Sequence, residues 1–135
     1  MNNDQMMKDI LLSAKTVASV GLSSNRMKES YGIVEYLKGQ GYRIIPVNPT
    51  AAEILGEKAY PDLESVPEEI DVVQVFRRPE DVPPVVDSAI KVGAKVVWMQ
   101  EGVVHEAAAR RAREVGMEVV MDRCMMKEHR KLTGG

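Results

Sequence analysis

The segment from Thr16 to Leu37 (TVASVGLSSNRMKESYGIVEYL) constrains the fold more than any other part of this sequence. Thr16–Val20 is short, apolar and rich in β-branched residues, which predicts a strand that is covered on both faces. Gly21 ends this strand, a polar loop follows, and Ser30 is predicted to cap a helix that runs to Leu37. This order of elements is typical of α/β proteins with a parallel sheet.

The loop between this strand and this helix has the features of an anion-binding site. At a helix N-terminus, backbone N–H groups without intrahelical partners and the positive end of the helix dipole point to the same spot. Ser23 and Ser24 add hydroxyl donors there, and Arg26 and Lys28 add positive charge. We therefore predict that this loop binds phosphate; the alternative is a strand–loop–helix joint that binds nothing.

The rest of the chain continues the alternation of strands and helices. A first helix begins near Asp4, the segment 51–59 is predicted to be irregular, and a short turn or helix follows at 62–66. Further strands are predicted at Tyr42–Val47, Asp71–Phe76, Lys95–Met99 and Glu118–Met121, and further helices at Glu80–Val92, Val104–Val115 and Cys124–Leu132. This alternation predicts a Rossmann-like α/β fold of three layers (α/β/α) with a mainly parallel five-stranded sheet.

Parallel sheets of this kind bind ligands beyond the carboxyl ends of their strands, at the point where the strand order reverses. Five loops are predicted to meet at this edge: 21–28, 47–50, 76–79, 99–102 and 122–124. Arg77 and Arg78 follow a strand, so their side chains point to opposite faces and one of them can reach a ligand. Trp98 is predicted to pack in the core. Gln100 and Gly102 are candidate site residues, because glycine permits a close approach of the backbone.

The composition sets bounds on the class of protein. The chain has 135 residues, of which 44% are hydrophobic, and this suits one domain, which we assign to residues 1–135. A net charge of −2 gives no general attraction to nucleic acid or acidic membranes, and no apolar run is long enough to span a bilayer. Cys124 is the single cysteine, and His105 and His129 are far apart, so we expect no disulfide and no metal site. These bounds predict a soluble, cytoplasmic protein with no nucleic-acid or membrane partner.

A nicotinamide dinucleotide is the first ligand to compare with the loop, and the sequence argues against it. The dinucleotide fingerprint has three glycines, which permit a tight turn and a close approach to the pyrophosphate. Ser23 and Arg26 occupy the second and third of these positions. The acid that would bind a ribose hydroxyl after the second strand is also missing, because Val47, Asn48 and Pro49 stand there. A ligand with an additional ribose phosphate would meet less repulsion at this strand end than at one that carries Asp or Glu, and several phosphorylated ligands satisfy that condition.

Six sequence blocks make the chain resemble a known family, the small bacterial CoA-binding proteins. These proteins are similar to the Rossmann-like domain that binds CoA in the alpha subunit of succinyl-CoA synthetase. The blocks occur in the order and spacing of the family, cover nearly the whole chain and are specific when taken together. They are VASVGLSSN (17–25), YRIIPVNP (42–49), YPDLESVP (60–67), DVVQVFRRPEDVP (71–83), VVWMQEGV (96–103) and VVMDRC (119–124).

The resemblance implies that CoA lies over the loops 21–25, 47–49, 76–78 and 100–102, and it places Phe76, which would otherwise be read as core, near the adenine. With the two cations of the first loop, the predicted cofactor-binding residues are Gly21, Ser23, Ser24, Asn25, Arg26, Lys28, Val47, Asn48, Pro49, Phe76, Arg77, Arg78, Gln100 and Gly102. No catalytic residue is predicted. The resemblance does not extend to ligase chemistry, because the sequence shows no second domain with a phosphorylated histidine.

The first hypothesis is therefore a protein that binds CoA or an acyl-CoA without catalysis of its own. The alternative is an oxidoreductase that uses the same crevice, either a thiol–disulfide exchanger acting through Cys124 and CoA or a nicotinamide-dependent reductase. For Cys124 itself, packing as a small hydrophobic residue is the favoured interpretation. A partner subunit of a larger ligase is a third class. The sequence leaves open the acyl group, the physiological role and whether the protein forms a homodimer.

Overall fold

The computed structural model describes residues 3–134, so residues 1, 2 and 135 of the predicted domain lie outside the described residues. Its strands are β1 (Thr16–Val20), β2 (Arg43–Val47), β3 (Glu53–Ile54), β4 (Glu57–Lys58), β5 (Val72–Val75), β6 (Val96–Met99) and β7 (Glu118–Val120). Five of them form one sheet in the order β2-β1-β5-β6-β7, and every neighbouring pair is parallel. The predicted Rossmann-like fold is confirmed.

Helices cover both faces of this sheet. They are α1 (Asp4–Ser13), α2 (Glu29–Gly39), α3 (Val82–Val92), α4 (Glu106–Glu114) and α5 (Met125–Thr133), with short 3₁₀ turns at Leu63–Ser65 and Pro79–Asp81. Buried residues of α3 and α4 pack in one half of the core, and those of α1, α2 and α5 pack in the other. Because both faces are covered, the central strands are buried along their whole length, as their continuous apolar runs predict.

The starts of α2, α3, α4 and α5 differ from the sequence-based prediction; α3 begins at Val82, after the 3₁₀ turn Pro79–Asp81, and α5 begins at Met125. Helix α2 begins at Glu29 with Lys28 as its N-cap, so the prediction that Ser30 caps it is wrong. The Ser30 hydroxyl instead accepts a hydrogen bond from the Ser23 N–H (3.1 Å), which ties the loop to the first turn of the helix. Helix α4 begins at Glu106, two residues later than predicted, because the Nδ1 atom of His105 accepts from the Ala108 N–H (3.1 Å) and caps it.

The segment 51–59 is not irregular, and this prediction is also wrong. It contains the antiparallel pair β3 and β4, joined by a tight turn in which Leu55 and Gly56 both have positive φ (55° and 73°). The chain then returns to the sheet edge, where the Tyr60 N–H donates to the Pro46 carbonyl (3.0 Å). Pro46 lies in the edge strand β2, the position in a sheet that tolerates a missing N–H donor.

The strand order places the reversal point between β1 and β5. The chain leaves β1 towards β2 on one side, whereas β5 leads to β6 on the other, so the loops after β1 and β5 separate there. None of the helices in the described part of the chain has the length and apolar character that crossing a lipid bilayer requires. The reversal point is where a ligand site is expected, and the structure has a crevice there.

Candidate functional site

A crevice of about 550 Å³ opens beyond the carboxyl ends of β1, β5 and β6. Its volume falls within the range of small-molecule and cofactor sites, about 300–1,000 Å³. Its wall consists of Gly21, Ser23, Lys28, Glu29, Ser30, Ile33, Phe76, Arg77, Arg78, Pro79, Gln100, Glu101, Gly102 and Val103. These residues come from the ends of three neighbouring strands and from the first turns of α2, so the fold itself assembles the crevice.

Gly21 brings the ends of β1 and β5 into close contact on the crevice floor. Its φ of +86° is one that side-chain-bearing residues rarely adopt. A Cβ atom on Gly21 would lie 2.7 Å from the Phe76 carbonyl oxygen and 3.1 Å from its carbonyl carbon. Only glycine fits between these two strand ends without displacing the backbone.

The N-terminus of α2 supplies hydrogen-bond donors to the crevice. The N–H groups of Glu29 and Ser30 make no hydrogen bond among residues 3–134, as expected for the first positions of a helix. The Ser23 N–H, in contrast, is already used by the Ser30 hydroxyl, and the Asn25 N–H donates to the Ser23 Oγ (3.0 Å). The anion-receptive groups are therefore those of the first helical turn more than those of the serine loop.

The charged side chains at the crevice are mostly basic. Lys28 and Arg77 have no ion-pair partner in the described part of the chain, so their charge is available to a ligand. Arg78 is 76% exposed and pairs with Glu80 (3.8 Å) and Asp81 (3.3 Å), which offsets much of its charge. Arg77 is half-buried, so it is the arginine of the pair that the structure offers to a ligand.

Two acids, Glu29 and Glu101, lie in the wall, and Glu101 is paired with a lysine. Lys127 in the first turn of α5 lies 2.9 Å from the Glu101 carboxylate. This hydrogen bond and the opposite charge raise the pKa of Lys127, so the lysine stays charged at neutral pH. The ion pair reduces the repulsion that Glu101 would exert on an anionic ligand.

The structure brings many of the predicted site residues together in the crevice wall and leaves others outside it. Those in the wall are Gly21, Ser23, Lys28, Phe76, Arg77, Arg78, Gln100 and Gly102. Those outside it are Ser24, Asn25, Arg26, Val47, Asn48 and Pro49. Phe76 is half-buried and contacts both the crevice and the core, which is intermediate between its two predicted roles.

Asn25 and Asn48 use their side chains to shape loops. The Asn25 Oδ1 accepts from the Met27 N–H (2.9 Å), and Ser24 and Arg26 are exposed on the same loop. The Asn48 Nδ2 donates to the Leu22 carbonyl (2.9 Å), and its Oδ1 accepts from the N–H groups of Thr50 and Ala51.

Val47 lines a second, smaller cavity of about 160 Å³ next to the crevice. Arg77 borders both cavities, so a ligand that extends past its guanidinium group would enter the smaller one. The walls of this cavity are largely apolar, with Val20, Leu63 and Val85 among the lining residues. Pro49, the last residue of this strand end, is exposed.

Six wall residues are not among the predicted binding residues, although Pro79 and Glu101 lie in loops predicted to meet here: Glu29, Ser30, Ile33, Pro79, Glu101 and Val103. Glu29 and Ser30 could have been found from the helix N-terminus, because the first turn after such a loop faces the same edge of the sheet. Ile33 and Val103 carry no signal in the sequence, since an apolar residue in a cavity wall looks like any other core residue.

Cys124 and Trp98 lie in the core. Cys124 is 2% exposed and is not part of the crevice wall, and Trp98 is fully buried with its indole N–H donating to the Arg123 carbonyl (2.8 Å). Among residues 3–134, no group of three His, Cys, Asp or Glu side chains could hold a metal ion. The packing roles favoured for these two residues agree with their positions.

We expect the Cys124 thiol to react with Ellman's reagent at least ~100-fold more slowly in the native protein than in the unfolded chain, because the reagent must wait for local opening. Absorbance at 412 nm, followed with and without guanidinium chloride, measures both rates. A native rate equal to the unfolded one would show an accessible thiol and return the thiol–disulfide hypothesis to consideration.

The fold is that of a Rossmann-like α/β protein, with a crevice at the point of strand-order reversal. The model of the CoA binding domain family matches residues 15–130, and the chain belongs to this family.

Several relatives cover nearly the whole chain. The uncharacterized protein YneT of Bacillus subtilis (strain 168) is 41% identical over 122 residues, which are 90% of each protein. A hypothetical protein from Pyrococcus horikoshii OT3 has a solved structure that matches with a TM-score of 0.95 and 39% identity, over 98% of this chain and 94% of that one. Both similarities extend over at least 90% of this chain.

A more distant relative is much longer. Acetate–CoA ligase [ADP-forming] II of Archaeoglobus fulgidus is 36% identical over 87 residues, which are 63% of this chain and 13% of the ligase. The chain is thus related to one part of such ligases and spans a small fraction of their length.

Proposed function

We propose that this protein binds CoA or an acyl-CoA in the crevice and has no catalysis of its own. The single observation that carries the proposal is that unpaired cations and unpaired helix N–H groups line the same crevice of cofactor size. Lys28, Arg77 and the first turn of α2 are all part of its wall. Membership of the CoA binding domain family supports the same ligand.

The parts of CoA match the parts of the crevice. Its pyrophosphate suits the N–H groups of Glu29 and Ser30, where the helix dipole favours negative charge. Its 3′-phosphate suits Arg77 or Lys28, and no acid stands at the end of β2 to oppose it. The uncharged pantetheine arm can then run towards Gln100 and Gly102. Ser23 lies in the same wall, on the pyrophosphate side next to the first turn of α2, and Arg26 on the exposed loop adds long-range attraction.

The positions of the nucleophilic and basic side chains favour binding over catalysis. Neither His105 nor His129 lines the crevice: His105 caps α4, and His129 is buried against Tyr36, whose hydroxyl lies 2.9 Å from its Nδ1. Burial lowers the pKa of His129, so it is neutral at physiological pH. Cys124 is buried in the core. The wall therefore offers donors and cations that hold a ligand.

The proposal treats residues 1–135 as one CoA-binding domain that acts in the cytoplasm, where a lone free cysteine is kept reduced. The acetate–CoA ligase match covers 13% of that enzyme, so ligase activity is not part of the proposal. A homodimer is compatible with the proposal, and native mass spectrometry of protein purified without added ligand would reveal both the number of chains and any bound CoA mass.

We expect CoA to raise the melting temperature by several degrees, dephospho-CoA to raise it less, and NAD or NADP to leave it nearly unchanged. A ligand at about 100 times its dissociation constant adds roughly 2.7 kcal/mol to the free energy of unfolding. For a domain of this size, that amounts to several degrees. Dephospho-CoA lacks the phosphate that Arg77 or Lys28 would bind, and NAD lacks the arm. Differential scanning fluorimetry with each ligand at equal concentration measures the series.

An equal shift with NAD and CoA would contradict the proposal, because the crevice would then recognise only what the two ligands share. The absence of any shift with CoA or acetyl-CoA would overturn it.

A further inference from the structure

Three buried polar residues interrupt the apolar interior next to the crevice. Ser19 and Gln74 are paired in register on β1 and β5 and are fully buried, and Gln100, which follows β6, is 4% exposed. Polar groups this deep are normally hydrogen-bonded, because losing water without a replacement partner is unfavourable. The Ser19 hydroxyl lies 2.8 Å from the Gln74 Oε1, and the Gln74 Nε2 lies 3.1 Å from the Gln100 Oε1. The three side chains form one continuous chain from β1 to the crevice.

A backbone N–H fixes the direction of every bond in this chain. The Met125 N–H, at the start of α5, lies 3.0 Å from the same atom of Gln100 that Gln74 contacts. A backbone N–H can only donate, so this atom of Gln100 is its carbonyl oxygen. The atom of Gln74 that faces it is therefore the amide nitrogen, and the Gln74 oxygen accepts from Ser19. No other assignment leaves all the groups satisfied.

The consequence is a hydrogen-bond donor aimed at the crevice. The Gln100 oxygen is occupied by two donors, whereas its Nε2 makes no hydrogen bond among the described residues. The only described side-chain N or O atom that is fully buried and unpaired is the Glu128 Oε1, so the Gln100 Nε2 is not sealed in the core. Since Gln100 is part of the crevice wall, its N–H groups face the ligand space.

We propose that Ser19 and Gln74 are positioning residues that hold the Gln100 carboxamide with its N–H donors towards the crevice, where they select a neutral acceptor oxygen of the ligand. This inference rests on the proposed function, and in CoA such an acceptor is an amide carbonyl of the pantetheine arm. A neutral acceptor fits better than a phosphate, because the cations follow β1 and β5 whereas Gln100 follows β6, next to the acidic Glu101. Neither positioning residue touches the ligand.

The test compares Gln74→Leu with Gln74→Glu at pH 6 by isothermal titration of CoA. Leucine keeps the volume but removes the donor that orients Gln100, and we expect the dissociation constant of CoA to rise about tenfold, the effect of one hydrogen bond. Burial raises the pKa of a carboxyl group, so the group introduced by Gln74→Glu is protonated at pH 6. Its O–H then donates to the Gln100 oxygen as the amide does, and CoA affinity should stay within about twofold of the wild type.

Val73→Ala is the matched control, because it lies on the same strand, faces the other half of the core and lowers stability without touching the chain of hydrogen bonds. Its CoA affinity should equal that of the wild type. A Gln74→Leu variant that binds CoA as tightly as the wild type overturns the inference. So does a Gln74→Glu variant that binds as weakly as Gln74→Leu at pH 6.

A second measurement uses the wild type alone and remains decisive if Gln74→Leu does not fold. The side-chain amide resonances of Gln100 should shift on addition of CoA or pantetheine and stay in place on addition of adenosine 3′,5′-bisphosphate. A shift with the bisphosphate and none with pantetheine would show that the donor meets a phosphate, which overturns the choice of a neutral acceptor. Unchanged Gln100 resonances with bound CoA overturn the inference but leave the proposed function intact, whereas a wild type that does not bind CoA overturns both.

Discussion

Replacing Ser23 with glutamate should weaken CoA binding by at least about 100-fold while the protein stays folded, since like charges brought together at a binding site cost several kcal/mol. Ser23 lies in the crevice wall, half-buried, next to the first turn of α2. A carboxylate there can still accept from the Asn25 N–H, as the Ser23 hydroxyl does, so the loop has no reason to unfold. Its negative charge would attract Lys28 and would take the place of a phosphate at the positive end of the α2 dipole.

Ser24→Glu is the matched control for this variant. It makes the same change in net charge one residue along the same loop, but Ser24 is exposed and outside the crevice wall. Solvent and salt screen a charge in such a position, and CoA affinity should fall by less than about threefold. Isothermal titration gives the affinities, and a melting curve confirms that both variants fold. Equal effects of the two substitutions would mean that only net charge matters, and unchanged affinity in Ser23→Glu would place the phosphates elsewhere.

The sheet could be predicted from the sequence because its strands are buried on both faces. Continuous β-branched runs such as TVASV and DVVQV are typical of parallel strands that are covered on both faces. The β3–β4 pair could not be predicted, because its turn places Leu55 at positive φ, where turn signatures lead one to expect Gly or Asn. The start of α2 was misjudged for a related reason. Serine is a common N-cap residue, but the Ser30 hydroxyl accepts a hydrogen bond from the Ser23 N–H, and this contact exists only in the folded loop.

The candidate site was predictable where it depends on strand ends and was not where it depends on loop conformation. Gly21, Phe76 and Gln100 follow strands whose carboxyl ends must meet at one edge, so sequence order alone brings them together. Asn25 and Asn48 look equally suitable in the sequence, yet their side chains form hydrogen bonds within and between loops. Local side-chain-to-backbone bonds of this kind compete with ligand contacts, and their outcome depends on the folded loop.

The buried chain of Ser19, Gln74 and Gln100 marks a further limit of sequence reasoning. Within an apolar strand, a glutamine can be a tolerated exception, a strand end or part of a polar network, and the residues alone do not distinguish these cases. Here the register between β1 and β5 places Gln74 beside Ser19, which is a property of the sheet and not of either strand. The pairing of Gln74 with Ser19 across two strands is therefore the observation that indicates a role for this buried glutamine.

Replacing Gly21 with alanine should lower the free energy of unfolding by about 3 kcal/mol, combining roughly 1 kcal/mol for a side chain at positive φ with about 2 kcal/mol of overpacking. The added Cβ would lie 2.7 Å from the carbonyl oxygen of Phe76, a residue whose N–H donates to the Val20 carbonyl (2.9 Å). Because both partners are backbone at the ends of paired strands, neither can move without disturbing the sheet. For a domain of this size, the loss corresponds to a fall in melting temperature of roughly 10 °C.

Gly93→Ala separates the steric part of this effect from the conformational part. Gly93 also has positive φ (73°), at the C-terminus of α3, but no atom lies within 4 Å of the position that its Cβ would take. Gly93→Ala should lower the free energy of unfolding by only about 1 kcal/mol, the cost of placing a side chain at positive φ. Urea denaturation of the two variants and the wild type measures the difference. Equal losses of stability in the two variants would show that the ends of β1 and β5 can separate at no cost, and that Gly21 does not fix the crevice floor. A larger loss for Gly21→Ala means that the close contact of these two strand ends sets the position of the loops on either side.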